Sequence, residues 1–199
     1  MVLSMKVTAS ATLPRTPHYF DYGFTDSGNW NPSTLTFPNA NTAVSTRITS
    51  DGIWRITNTI TKVPATATSV GQVKVNMTVK NLTGIARSIF LLRHADVDAD
   101  GDVLNNDFDW EINTASGSYV VAGTESFGYG LQLLNNSFNI PAGEHNEYTL
   151  NDCCNPDPCN VFTNISTQPF HGDGSVMTLY GLTVPNGGTK SVQMTYQPI

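Results

Sequence analysis

Six carboxylates crowd into one short stretch of this chain. Asp96, Asp98, Asp100, Asp102, Asp107 and Asp109 fall within fourteen residues that contain no Lys or Arg. Formal net charge is −6 over 199 residues, so this window accounts for all of it and the remaining ten acids and ten bases cancel. Carboxylates at alternate positions of a tight loop converge on one point, and a hard cation such as calcium takes six to eight oxygen ligands. Asp96, Asp98 and Asp100 stand at positions 1, 3 and 5 of such a loop. Gly101 follows at position 6, where the backbone must turn sharply, Asp102 offers its carbonyl at position 7, and Asp107 stands at position 12. The plain alternative is a solvated acidic turn, but carboxylates so close repel one another unless something neutralises them. One calcium ion is therefore expected, ahead of magnesium, because the loop offers many protein oxygens.

The stretch 96–107 resembles the calcium-binding loop of EF-hands and, with Asp at its last position, that of dockerin modules. The resemblance covers about 12 of the 199 residues. It implies Asp96, Asp98, Asp100, Asp102 and Asp107 as ligands. EF-hands end in a Glu that chelates with both oxygens, whereas Asp107 is shorter. No convincing helix follows, since 109–117 contains Asn113, Thr114, Ser116 and Gly117, and no second loop exists. A structural staple between two strands is thus expected, rather than a calcium sensor.

Other candidates carry less. Cys153, Cys154 and Cys159 lie in a Pro-containing run at 151–160. A local disulfide is the simplest reading, with the odd thiol free or paired between chains. A zinc site would need a fourth ligand such as His145 or His171. His94 beside the acidic loop reads as a strand-end residue before it reads as a general base, and His171-Gly-Asp173-Gly174 reads as a turn outside the loop. Asp107 and Asp109 would share one strand face, as a sugar-hydrolysing pair requires, but metal ligation explains them more simply. No Gly-X-Ser-X-Gly and no phosphate-binding glycine loop occurs. Tyr19, Tyr22 and Trp30, in and after the run His18-Tyr-Phe-Asp-Tyr-Gly-Phe24, are the aromatic candidates for a glycan, whereas Trp54 and Trp110 are expected in the core. Sequons at Asn76, Asn81, Asn135 and Asn164 mean little among 19 Asn and 25 Thr.

The elements that must hold these residues read as strands. Charged residues are only 13%, and polarity comes from Thr, Ser and Asn, which favour strands and turns. Period-two alternation runs through 44–48, 54–61 and 73–80, with Asp51-Gly52 as a hairpin turn. Asn81-Leu-Thr-Gly84 reads as the next hairpin turn, before a strand over 85–94. More strands are expected at 119–122, 129–134, 147–150, 176–184 and 190–196. Ile140-Pro-Ala-Gly143 and Val184-Pro-Asn-Gly187 read as turns ahead of strands. The sum is an all-β chain: an antiparallel β-sandwich of about eight to ten strands forming one domain over 1–199, with a closed β-barrel as the alternative.

No segment approaches the ~20 apolar residues of a membrane helix, and the N-terminus lacks a signal-peptide pattern. The local origin of the charge argues against nucleic acid as a partner. Few Lys and Glu residues, together with the Cys loop, favour an extracellular or cell-surface setting. The expected function is non-enzymatic: a calcium-stabilised sandwich used for binding or assembly, with a glycan or other protein subunits, copies of itself included, as partners. Two alternatives are a structural subunit of a filament, tube or capsid, and a glycan-active hydrolase using an Asp/Glu pair.

Overall fold

The computed structural model describes residues 2–6, 18–22, 25–101, 104–114, 117–124, 130–137, 145–151, 165–166 and 168–199. In chain order the strands are β1 (Val2–Lys6), β2 (His18–Tyr22), β3 (Thr25–Asp26), β4 (Thr34–Asn39), β5 (Thr42–Ile48), β6 (Trp54–Val63), β7 (Gln72–Asn81) and β8 (Arg87–Asp96). There follow β9 (Asn106–Thr114), β10 (Gly117–Thr124), β11 (Gly130–Asn135), β12 (His145–Leu150), β13 (Ile165–Ser166), β14 (Phe170–Gly172), β15 (Ser175–Val184) and β16 (Thr189–Pro198). One 3₁₀ turn, Ala99–Gly101, is the sole helical element among the described residues. No helix there is long and apolar enough to cross a membrane.

The strands form two sheets, β13-β12-β15-β8-β1-β2-β3 and β14-β9-β10-β11-β16-β7-β6-β5-β4, each ending in free edges rather than closing into a barrel. Every pairing between the named strands is antiparallel. The expected β-sandwich is what forms, with more strands than expected: β1, β2, β4 and β9 have no clear alternation to announce them, and β3, β13 and β14 are pieces of two or three residues.

Alternation decides what each sheet buries. β7 puts Val75, Met77 and Val79 in the core and leaves Lys74, Asn76, Thr78 and Lys80 on the other face. From the facing sheet, β8 and β15 contribute Ile89, Leu91, Val176, Tyr180, Leu182 and Val184 to the same cluster. Burying an aliphatic side chain of this size stabilises by about 1.5–3 kcal/mol, so this two-sided layer is the main source of cohesion. Trp54 sits fully within it, as expected. Polar bonds also cross the gap: Arg93 Nε donates to Tyr196 Oη at 2.7 Å, and Tyr180 Oη donates to Asn135 Oδ1 at 2.9 Å. Asn135 Nδ2 in turn donates to Glu147 Oε1 at 2.9 Å. Buried polar groups need such partners, and their directionality fixes how the two sheets sit on each other.

One expectation fails at the 81–84 turn. β7 and β8 are not a hairpin; the chain crosses there from the nine-stranded sheet to the seven-stranded one. Asn81 is fully buried, and its Nδ2 donates to the carbonyls of Ile85 at 2.7 Å and of Val184 at 3.2 Å. Its Oδ1 accepts from the Thr83 amide at 2.9 Å. The 184–187 turn is the return crossing, so one asparagine ties both sandwich corners together.

Candidate metal centre

β8 leads directly into the acidic stretch. Its register with β15 pairs Asp96 with Ser175, and the Val97 amide donates to the Gly174 carbonyl at 3.3 Å. Carried two residues further, the same register sets Asp98 opposite Asp173. Carboxylate oxygens of Asp96, Asp98 and Asp173 all lie within 4.8 Å of one another. Asp96 and Asp98 are exposed, and Asp173 is half-buried, with an Oδ1 shielded from solvent that has no hydrogen-bond partner. Asp173 therefore joins the loop's carboxylates, against the expectation that it stands apart. No sequence spacing links 98 to 173; only strand pairing does.

The loop turns where its sequence requires. Gly101 has φ +74° and its amide donates to the Asp98 carbonyl at 3.0 Å, closing the 3₁₀ turn. A side chain is disfavoured at that φ, which explains glycine there. Asn106 Oδ1 accepts from the Ala99 amide at 3.0 Å and closes the loop's far end. Asp107, expected as the closing ligand, lies outside the triad. The β9–β14 register sets it opposite His171, and His171 Nδ1 meets its Oδ1 at 2.9 Å. Both side chains of that pair are about half exposed. Asp100 belongs to the turn by its backbone, but its side chain and all of Asp102 lie outside the described residues.

The remaining candidates separate clearly. His94 is 1% exposed within β8 and closed to substrate. Tyr19 is also 1% exposed, with its hydroxyl donated to Asp51, so its ring is core and not a glycan platform. Burial first, then the Asp51 carboxylate, raise its pKa far above the usual 10.0. Trp30 is half-buried, tilted against Tyr19 at 5.7 Å, with the Arg47 guanidinium 5.2 Å from its ring centre. The side chains of Tyr22 and Trp110, the turn at 140–143, and Cys153, Cys154 and Cys159 lie outside the described residues.

Among the described residues this cluster offers three carboxylates and no nitrogen or sulfur donor, a donor set that calcium or magnesium would favour over zinc or copper. No family model and no curated protein matches the chain. Among solved structures, one assigned to a kojibiose phosphorylase from human microbiome is similar, with 13% identity and a TM-score of 0.44. The match covers 98% of this chain and 25% of that one, so this chain spans a quarter of its length. So distant a likeness assigns neither family nor activity.

Proposed function

We propose that this protein is a calcium-stabilised β-sandwich that works outside the cell in binding or assembly. One calcium ion is held by Asp96, Asp98 and Asp173. The observation that carries this reading is the convergence of three carboxylates from two separate segments, one of them with a shielded, unpartnered oxygen. A cation there staples the end of β8 to the turn before β15 and relieves the repulsion that folding creates. Three carboxylates supply three to six oxygens, and carbonyls and water complete the shell.

A site of this kind binds with a dissociation constant of roughly 10⁻⁵ to 10⁻³ M. At a hundredfold excess of ion the fold gains about 2.7 kcal/mol, a rise of roughly 5–10 °C in melting temperature for a chain of this size. Scanning calorimetry in excess calcium and in excess chelator tests this. Wild type should show the shift, Asp98→Ala and Asp173→Ala should lose it, and Asp107→Ala should keep it. Equal melting temperatures for wild type in both conditions would overturn the reading.

Assembly is favoured by a separate observation. β4 ends its sheet with all six residues exposed, Leu35 at 58% and Phe37 at 70%. Unpaired backbone groups beside apolar side chains are what a second strand would cover.

A further inference from the structure

The nine-stranded sheet carries a second feature, away from the acidic loop. Its six neighbouring strands β11-β16-β7-β6-β5-β4 contain Arg47, Arg55, Lys62, Lys74, Lys80 and Lys190 and not one Asp or Glu. In a chain of net charge −6 this is a marked segregation. On the face turned away from the core, β6, β7, β16 and β11 line a groove of about 460 Å³.

Strand register sets its polar groups in two rows. Thr61, Lys74, Thr195 and Leu134 form one row, and Thr59, Asn76 and Gln193 the other. Two residues along a strand separate the rows by roughly 7 Å, and four strands span roughly 14 Å across. The floor is braced: Thr195 Oγ1 donates to Asn136 Oδ1 at 2.5 Å, and Gln72 Nε2 to Gln197 Oε1 at 2.7 Å. Above that floor stand the hydroxyls of Thr59 and Thr61, the side-chain amide of Gln193 and the Lys74 ammonium, for which the described residues offer no side-chain partner; the Gln193 backbone amide is held by Ser137 Oγ at 2.6 Å. Hydroxyls and amides both donate and accept, as sugar hydroxyls do, and Leu134 offers an apolar patch to sugar C–H groups.

We infer that this groove binds a carboxylated saccharide, its acid group on Lys74 and its hydroxyls on Thr59, Thr61, Asn76 and Gln193. Single-stranded nucleic acid, the other polyanion to consider, needs aromatic platforms for its bases, and among the described residues no aromatic side chain lines the groove. The inference goes beyond the calcium reading by naming a ligand, and it rests on a different face of the molecule.

Titration calorimetry with unglycosylated protein tests it, using trisaccharides of galacturonic, glucuronic and mannuronic acid and their uncharged methyl esters. Chelator is present throughout, so the outcome does not depend on the metal site. At least one acid form should bind saturably at or below about 1 mM and tenfold more tightly than its ester. Lys74→Gln should bring the acid down to the ester's level, and Thr61→Val with Gln193→Ala should weaken both forms. Lys80→Gln and Lys190→Gln should change nothing, and an eight-residue oligothymidylate should not compete. Absence of saturable binding for all three acids would overturn the inference, as would equal losses in the Lys74, Lys80 and Lys190 variants or effective competition by the oligonucleotide. Unchanged melting temperatures establish that each variant is folded.

Discussion

At the scale of single residues, Asp51 shows how a turn becomes a tie between sheets. It follows β5 and precedes Gly52, whose φ of +70° is the left-handed conformation a tight turn needs. Its Oδ1 accepts from Thr49 Oγ1 at 2.6 Å and from the Ile53 amide at 3.0 Å, which holds the turn. Its Oδ2 accepts from Tyr19, which belongs to β2 in the other sheet. Partial burial raises the Asp51 pKa, but the hydrogen bonds from Thr49, Tyr19 and Ile53 outweigh it and leave the carboxyl below its ordinary 3.8. A depressed carboxylate stabilises the fold above its unfolded value, and that contribution is lost as pH falls through the folded one. Tyr19→Phe should therefore cost about 1.5 kcal/mol at neutral pH, the lower end for a bond to a charged group that is partly solvated. That is roughly 3–6 °C in melting temperature. The gap between wild type and variant should narrow as pH is lowered past 3.8. A gap independent of pH would assign the loss to packing of the ring.

At the scale of elements, the strands were legible and the crossings were not. Alternating Val75, Met77 and Val79 announce a strand and its buried face wherever it lies. A run such as Asn81-Leu-Thr-Gly84 looks the same whether it returns the chain within a sheet or carries it to the facing one, because turn chemistry is local. Which occurs depends on what the corner asparagine can reach, and its partners lie about a hundred residues away at Val184 and Pro185. Asn81→Ala would strand buried carbonyls at both corners, so a loss of about 3 kcal/mol is expected, or roughly 6–12 °C. Thermal unfolding measures it, and a shift under about 2 °C would show that the corners hold without the clamp. The candidate metal site divides in the same way. The loop's own Asp96, Asp98 and Gly101 could be read from spacing, but Asp173 enters by strand register and Asp107 is drawn off to His171 by a different pairing. At the sheet's edge, Pro38 cannot donate to a neighbouring strand and partly blunts β4, yet Leu35 and Phe37 remain exposed beside it. If β4 is a contact between copies, Phe37→Lys should lower the apparent mass in light scattering at high concentration. A monomeric wild type under those conditions would remove assembly through this edge.

At the scale of the whole molecule, charge is sorted by position. Acid collects where β8 gives way to β9 and meets the turn before β15, while six strands of the larger sheet carry only base. Without a cation, the gathered Asp96, Asp98 and Asp173 repel one another in the folded state and are farther apart in the unfolded one, so folding works against their field. Salt screens that field: the Debye length falls from about 30 Å at 0.01 M to about 8 Å at 0.15 M. In chelator, the melting temperature should therefore rise by a few degrees, roughly 1 kcal/mol of relief, as sodium chloride is raised over this range. In saturating calcium the carboxylates are already neutralised, and competing salt weakens the ion's attraction, so the same titration should leave the melting temperature level or lower it. Asp98→Asn with Asp173→Asn leaves Asp96 as the triad's one carboxylate, so its melting temperature should not respond to calcium and should rise less with salt than that of wild type in chelator. Scanning calorimetry on wild type and this double variant separates a metal site from a solvated turn: identical salt slopes with and without calcium would mean that no ion enters the triad.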